Sequence, residues 1–221
     1  MGKLLVVPTP IGNLSDITLR GLEILKSVNV IACEDTRHTR ILLDHFQIKE
    51  KQLISYFAPR EQEKIPQILA NLQNEDVALV TDAGMPGISD PGFQLIKICI
   101  EHDIAVEVLP GSAAFVTALV GSGLPTDKFI FLGFVPKKGK ARYFNQLKGL
   151  KDTTVIVYES PYRIIKSLEF ILETFGDVAC VVVRELTKIH EEYIRGSASE
   201  VLANLNNRPS IKGEIVLLFR I

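Results

Sequence analysis

Short apolar runs rich in β-branched residues recur through the first half of the chain, separated by stretches of helical period. No other feature narrows the fold as much. The runs are LLVVP (4–8), VIAC (30–33), LISY (53–56), VALVT (77–81) and VEVLP (106–110). Between them, Ile65, Ile68, Leu69 and Leu72 fall at i, i+3, i+4 and i+7 and predict an amphipathic helix. Leu19, Leu22 and Leu25 form a shorter stripe, with Asp16 as its candidate N-cap. Strand–helix alternation calls for right-handed crossovers and a largely parallel sheet, because parallel neighbours cannot be joined by a tight turn. On such sheets ligands bind beyond the carboxyl ends of the strands, so the loops after these runs are where chemistry is expected.

The pattern changes at the turn-rich GSGLPTDK (121–128). We expect a boundary near residue 121, with one α/β domain over 1–121 and a second over 122–221. FIFLGF (129–134), TTVIVYE (153–159), ACVVVRE (179–185), EYIRG (192–196) and EIVLLF (214–219) then follow closely, which predicts a mixed sheet with antiparallel pairs. Ser197 and Glu200 have capping-box spacing and predict a short helix before the last strand. At 221 residues and 47% hydrophobic, the chain can bury a full α/β core. No apolar run approaches the ~18 residues of a membrane span. The opening MGKLLVVPTPIGN ends in Pro-Thr-Pro rather than a small-residue cleavage site, so it reads as a strand and not a signal peptide. Cys33, Cys99 and Cys180 are widely spaced in apolar stretches, which predicts reduced, buried thiols and a cytoplasmic setting. The four histidines, His38, His45, His102 and His190, lack metal-ligand spacing, and no metal is expected. Net charge is −1, so a nucleic-acid partner would need a local basic patch.

Four strand-associated loops combine glycine, proline and small polar residues: PTPIGNL (8–14), TDAGMPGISDPG (81–92), PGSAA (110–114) and KGE (212–214). Glycine lets a ligand approach the backbone, and proline holds a loop open without spending a donor. Asp82 is placed where a carboxylate accepts from ribose hydroxyls or an amine. A helix beginning near Ser112 would offer free N–H groups to a ligand carboxylate. Neither a P-loop nor an ordinary GxGxxG follows the first strand, which argues against nucleoside-phosphate binding. The twelve-residue loop carrying Asp82 and Asp90 is long for a compact domain, and such loops are usually functional. CEDTRHTR (33–40) puts two acids, two arginines and a histidine after the second strand. It reads equally as a phosphate-holding, proton-handling loop or as a helix start capped by Asp35. PKKGKAR (136–142) carries four basic residues in seven and suits phosphate-backbone contacts or a solvated turn. YESPYR (158–163) and RELTKIHEE (184–192) mix acids, bases and aromatics after strands.

Taken in order, PTPIGNLSDIT, CEDTRHT, TDAGMPGISDPG, LPG, FLGFVPKKGKAR, YESPYR, RELTKIHEE and KGEIVLL resemble the bacterial ribosomal RNA small-subunit methyltransferase I family. The likeness runs from about residue 4 to the carboxyl end. It implies a two-domain class III (tetrapyrrole methylase-like) α/β methyltransferase, mostly parallel in its N-terminal sheet and mixed in its C-terminal sheet. It further implies a homodimer, with S-adenosylmethionine held in the cleft between the domains. The family methylates a cytidine 2′-hydroxyl in small-subunit ribosomal RNA. Carried over by position, the cofactor residues would be Pro10, Asp82, Ala83, Gly84, Met85, Ser112, Ala113 and Ala114. Tyr158, Leu186, Glu214 and Ile215 would join them from the second domain. Arg37, Arg40, Lys137, Lys138, Lys140 and Arg142 would face RNA. Three places depart from the family pattern: Met85 stands for threonine, Ser112 and Ala113 for proline and serine, and Tyr162 for histidine.

Methyl transfer to a ribose oxygen needs positioning and a group that helps the hydroxyl lose its proton. Asp35, Glu34, His38, Glu159, Glu185 and Lys188 are the candidates, with Asp35 placed first because its loop couples a carboxylate to an arginine. Two other readings stay open: a ribosome-binding or assembly module with a vestigial cofactor pocket, and a tetrapyrrole methyltransferase.

Overall fold

In the computed structural model, which describes residues 1–58 and 60–221, the alternation of the first half becomes one parallel sheet. Its strands are β1 (Leu4–Val6), β2 (Val30–Cys33), β3 (Gln52–Ser55), β4 (Val77–Val80) and β5 (Val106–Val108). They lie in the order β3-β2-β4-β1-β5, and every pairing is parallel. Helices α1 (Leu19–Ser27), α2 (Thr36–His45), α3 (Glu61–Leu72) and α4 (Phe93–Glu101) make the crossovers. Successive strand residues face opposite ways, so each strand supplies two cores. Leu4 and Val6 pack with Ile65, Ile68 and Leu95 of α3 and α4, whereas Leu5 and Val7 pack with Leu25, Leu42 and Leu43 of α1 and α2. β1 and β4 are neighbours whose connections leave in opposite directions and on opposite faces. A crevice therefore opens at their carboxyl ends, the position at which doubly wound sheets bind ligands.

The cap of α1 differs from the expected one. Thr18 caps it by accepting from the Gly21 N–H, while Asp16 ends a separate 3₁₀ turn, Leu14–Asp16. Leu19 is exposed, and the buried face of α1 consists of Gly21 and Leu25.

The second sheet comprises β6 (Phe129–Phe134), β7 (Thr154–Glu159), β8 (Ala179–Arg184), β9 (Glu192–Ser197) and β10 (Ile215–Arg220), in the order β6-β7-β10-β8-β9. Only β6–β7 is parallel, so this sheet is mixed, as the closely spaced strands predicted. α6 (Lys140–Gln146), α7 (Ile164–Phe175) and α8 (Ala198–Asn206) cover the core built on Val157, Val182 and Leu217. The predicted capping box opens α8, with Ser197 and Glu200 bonded reciprocally.

The chain divides into two compact units, Met1–Ala113 and Ala114–Ile221. The division falls ahead of the turn at 121–128 because α5 (Ala114–Ser122) packs on strands β7 to β10, with Phe115 stacked on Phe131 at 4.5 Å. Arg195 donates to the carbonyls of Gly121 and Ser122, which closes the carboxyl end of α5. Cys33, Cys99 and Cys180 are buried and in no disulfide. Among the described residues, no helix is long and apolar enough to cross a membrane.

Candidate active site at the carboxyl ends of β1, β2 and β4

Three loops are pressed together where the strands of the first unit end. Thr9 and Gly84 exchange backbone hydrogen bonds of 3.0 Å in both directions, bridging the loops after β1 and β4. Gly84 holds φ at +81°, a conformation that suits glycine. The loop after β5 closes in as well: a Cβ on Gly111 would lie 2.7 Å from Pro8. These contacts bring Ala83, Gly84, Gly111 and Ser112 together as a seam of small residues, in which Gly84 is buried with its N–H and C=O spent on Thr9 and Gly111 is exposed. Such a seam of small side chains lets a ligand come close to the backbone.

Beside it, CEDTRHTR leaves β2 and turns into α2. Asp35 is the N-cap, accepting from the Arg37 N–H at 2.8 Å, and its carboxylate also takes the Arg37 guanidinium at 2.5 Å. The Arg37 hydrogen bonds hold the Asp35 carboxyl well below the usual carboxylate range. Of the two readings of this stretch the structure shows the capped helix start, and the Asp35 carboxylate also pairs with Arg37. A carboxylate held this way is a poor proton acceptor.

Asp82 ties this loop to β4. Its Oδ1 accepts the Asp35 N–H at 3.1 Å, and its Oδ2 lies 3.0 Å from His38 Nδ1. In return, the Asp82 N–H donates to Glu34 Oε2 at 3.3 Å. Partial burial raises the Glu34 pKa, only partly offset by that N–H, and the neighbouring Asp82 charge adds to the rise. Glu34 and Asp35 are adjacent in sequence, yet their environments push their pKa values apart. That separation marks the better base. Glu34, Asp35, His38 and Asp82 are brought together, while Arg37 and Arg40 stand exposed around them.

A cavity of about 220 Å³ opens next to this cluster. Thr9, His38, Thr39, Thr81 and Asp82 supply its polar lining, and Pro10, Leu14, Ile41 and Leu42 its apolar lining. Thr39 and Thr81 lie in stretches the sequence singled out, 33–40 and 81–92, but were given no role of their own, and Ile41 and Leu42 lie outside them. One signal was available: Thr39, Leu42 and Leu43 fall at i, i+3 and i+4 and form the buried stripe of α2.

The candidates of the second unit form groups of their own. Lys137, Lys138 and Arg142 are exposed. Lys140, expected with them on an RNA-facing loop, is buried instead. Gly139, at φ +75°, turns the chain into α6, and Lys140 reaches Glu159 Oε2 at 2.7 Å and Ser167 Oγ at 2.6 Å. Arg163 pairs with the other oxygen of Glu159 at 2.7 Å. Glu159 is therefore a buried ion-pair centre rather than a base candidate. Lys188 bridges Glu185 and Glu214 at 3.0 Å each. Partial burial pulls the Lys188 pKa down, but the two carboxylates outweigh it and the net shift is upward. The Glu214 N–H, then Lys188, holds Glu185 low. Leu186 and Ile215 are buried, and Tyr158 packs edge-on against Phe131 and Phe134.

Glu192 is held at about 2 by Arg208 first and then Arg184. A depressed carboxylate contributes stability that is present above its unfolded value near 4.5 and is lost as pH falls towards 2. Thermal melts across that window are expected to show a shallower acid loss in Glu192→Gln than in the parent chain. Parallel acid slopes would show that the pair contributes nothing measurable.

A family model described as Tetrapyrrole (Corrin/Porphyrin) Methylases matches residues 3–202. The ribosomal RNA small subunit methyltransferase I of Hydrogenobaculum sp. (strain Y04AAS1) is 54% identical over 217 residues, covering 98% of this chain and 94% of that protein. The Streptococcus pyogenes serotype M1 protein of the same name is 49% identical over 219 residues, covering 98% and 76%. Among solved structures, uroporphyrin-III C-methyltransferase from Thermus thermophilus, complexed with S-adenyl homocysteine, has a TM-score of 0.67 at 18% identity. It covers 98% of this chain and 97% of its own, and supports the fold alone. With the parallel sheet, the mixed sheet and the seam of loops in place, the chain belongs to the tetrapyrrole methylase family of methyltransferases and, within it, to the ribosomal RNA small subunit methyltransferase I group.

Proposed function

We propose that the protein transfers the methyl group of S-adenosylmethionine to the 2′-hydroxyl of a cytidine in small-subunit ribosomal RNA. The near-full-length identity to proteins named for small-subunit ribosomal RNA carries this reading. The neighbour holding S-adenyl homocysteine supports the choice of cofactor. When bound, that cofactor supplies an electrophilic methyl group on a sulfonium.

The chain's own residues do the rest. Pro10, Ala83, Gly84, Met85 and the Ser112–Ala113–Ala114 segment would hold the cofactor, with the alanines, Gly84 and Ser112 small enough for its close approach. Tyr158, Leu186, Glu214 and Ile215 remain cofactor candidates on the strength of the resemblance. Glu34 takes the 2′-hydroxyl proton, in place of Asp35, because its raised pKa brings it nearer the working range. Asp82 positions it through the backbone N–H and orients His38. Lys137, Lys138 and Arg142, with Arg37 and Arg40, meet RNA phosphates. Glu185 and Lys188 satisfy each other and are left out of the proton path. We further propose a cytoplasmic homodimer.

The family model and the uroporphyrin-III enzyme favour a second reading, methylation of a tetrapyrrole. One assay separates them. Purified small ribosomal subunits, free ribosomal RNA and a tetrapyrrole are offered side by side with tritiated-methyl cofactor. Label is expected in RNA, in a dinucleotide that survives alkali, since a methylated 2′-oxygen cannot attack the next phosphate. Label only in the tetrapyrrole would overturn the proposal. Binding to subunits without cofactor binding would point to an assembly module.

A further inference from the structure

Thr81, the residue that follows β4, is 2% exposed, and its hydroxyl has no hydrogen-bond partner. Buried hydroxyls are rarely left so unless a ligand or water answers them. Thr81 is one of the residues that line the 220 Å³ cavity of the first unit. The neighbouring Thr9 hydroxyl is already spent, donating to the Thr81 carbonyl at 2.9 Å. Asp82 accepts from the Asp35 N–H and faces His38, but a carboxylate has about four acceptor positions and so keeps capacity to spare. The remaining lining includes Leu14, Ile41 and Leu42. The space thus combines an apolar lining with groups that both donate and accept, Thr81 beside His38 and Thr39, and a carboxylate that only accepts. Those are the needs of a planar heteroaromatic ring with a hydrogen-bonding edge. Clefts that enclose drug-sized ligands measure roughly 300–1,000 Å³, so this one suits a single ring and not a whole S-adenosylmethionine.

We infer that this cavity is a base subsite, which receives the pyrimidine of the target nucleotide when it is turned out of its stack. The inference rests on the proposed RNA function and adds to it the means of selecting the nucleotide. Sequence-specific RNA recognition reads splayed bases on their Watson–Crick edges. Cytosine presents an amine to Asp82, and its N3 accepts the single O–H of Thr81. Uracil would set a carbonyl oxygen against the Asp82 carboxylate, so cytosine is preferred.

Two variants test this. Thr81→Val keeps the shape and removes the hydroxyl. Ile41→Trp fills the space from a position that is 63% exposed and tolerates a larger side chain. With small ribosomal subunits as substrate, Thr81→Val is expected to lose about tenfold in kcat/KM and to discriminate less between cytidine and uridine at the target. Ile41→Trp is expected to lose more. Calorimetric affinity for S-adenosylmethionine should be unchanged in both. The Tm of Thr81→Val should not fall, since an unpaired buried hydroxyl has been removed; a merely structural role would lower it. Parent-like kcat/KM and base preference in both variants, with an active parent, would overturn the subsite and leave the proposed function standing. A parallel loss of cofactor affinity would also overturn it, reassigning the cavity to the cofactor. A parent chain that labels no RNA would remove both readings.

Discussion

Glu34→Gln is expected to lower methyl transfer to small ribosomal subunits by about 10²–10³-fold, within the usual range for a lost general base. Cofactor affinity should be unchanged. The substitution preserves shape and can still accept the Asp82 N–H, so the loop keeps its place. Only the proton acceptor is lost. The pH profile adds a second readout. A base works when deprotonated, so the parent rate should climb as pH rises through the raised Glu34 pKa. That acid limb should vanish in Glu34→Gln. Stability runs the other way: a carboxyl whose folded pKa is raised contributes most at low pH and loses that contribution as pH rises through its folded value. The variant should therefore unfold at neutral pH no more easily than the parent. Asp35→Asn is the control. Its carboxylate is committed to Arg37 and lies well below the usual range, so the change should remove that ion pair, keep the α2 cap and leave the acid limb in place. A profile that loses its acid limb in Asp35→Asn and keeps it in Glu34→Gln would reverse the assignment.

The second large effect concerns stability. Glu159→Ala is expected to destabilise the protein by about 3–5 kcal/mol, because it strands a buried lysine. The side chains of Lys140 and Glu159 are 8% and 0% exposed. Once the carboxylate is gone, Lys140 keeps only the Ser167 hydroxyl at 2.6 Å and the Arg163 carbonyl at 3.4 Å. Lys140→Met should cost less, since Arg163 and the Ser160 N–H still serve Glu159. The double variant should recover part of the loss, because well-packed apolar replacements of buried pairs are often tolerated. Urea unfolding of all three measures the coupling. A Glu159→Ala penalty below about 1 kcal/mol would place the pair in a far wetter setting than its burial implies.

How much of this was legible in the chain differs from feature to feature. The continuous apolar run of Leu4, Leu5, Val6 and Val7, which feeds two cores alternately, and the stripe of Ile65, Ile68 and Leu72 are local patterns, and local patterns set the elements. The capping box at Ser197 was readable for the same reason, since its two partners lie three residues apart. Asp16 was misread as the α1 cap because an acidic side chain two residues earlier competes with Thr18, and only the backbone path decides between them. Lys140 was misread because a lysine in a basic run carries no mark of its partner. Glu159 lies on a strand nineteen residues away.

By itself, then, the sequence determined the two sheets, the loops that carry the site and the family. The loop at 81–92 shows where that ends. Its glycines, prolines and Asp82 announced a ligand site, because turn chemistry is written in near neighbours. That burial would raise Glu34, while Asp82 joins both Glu34 and Asp35 to the end of β4, required residues 47 and 48 positions apart to meet. The same holds for the buried hydroxyl of Thr81 and the burial of Lys140. Desolvation and pairing energies depend on which groups the fold brings within a few ångströms, and that is a property of tertiary structure.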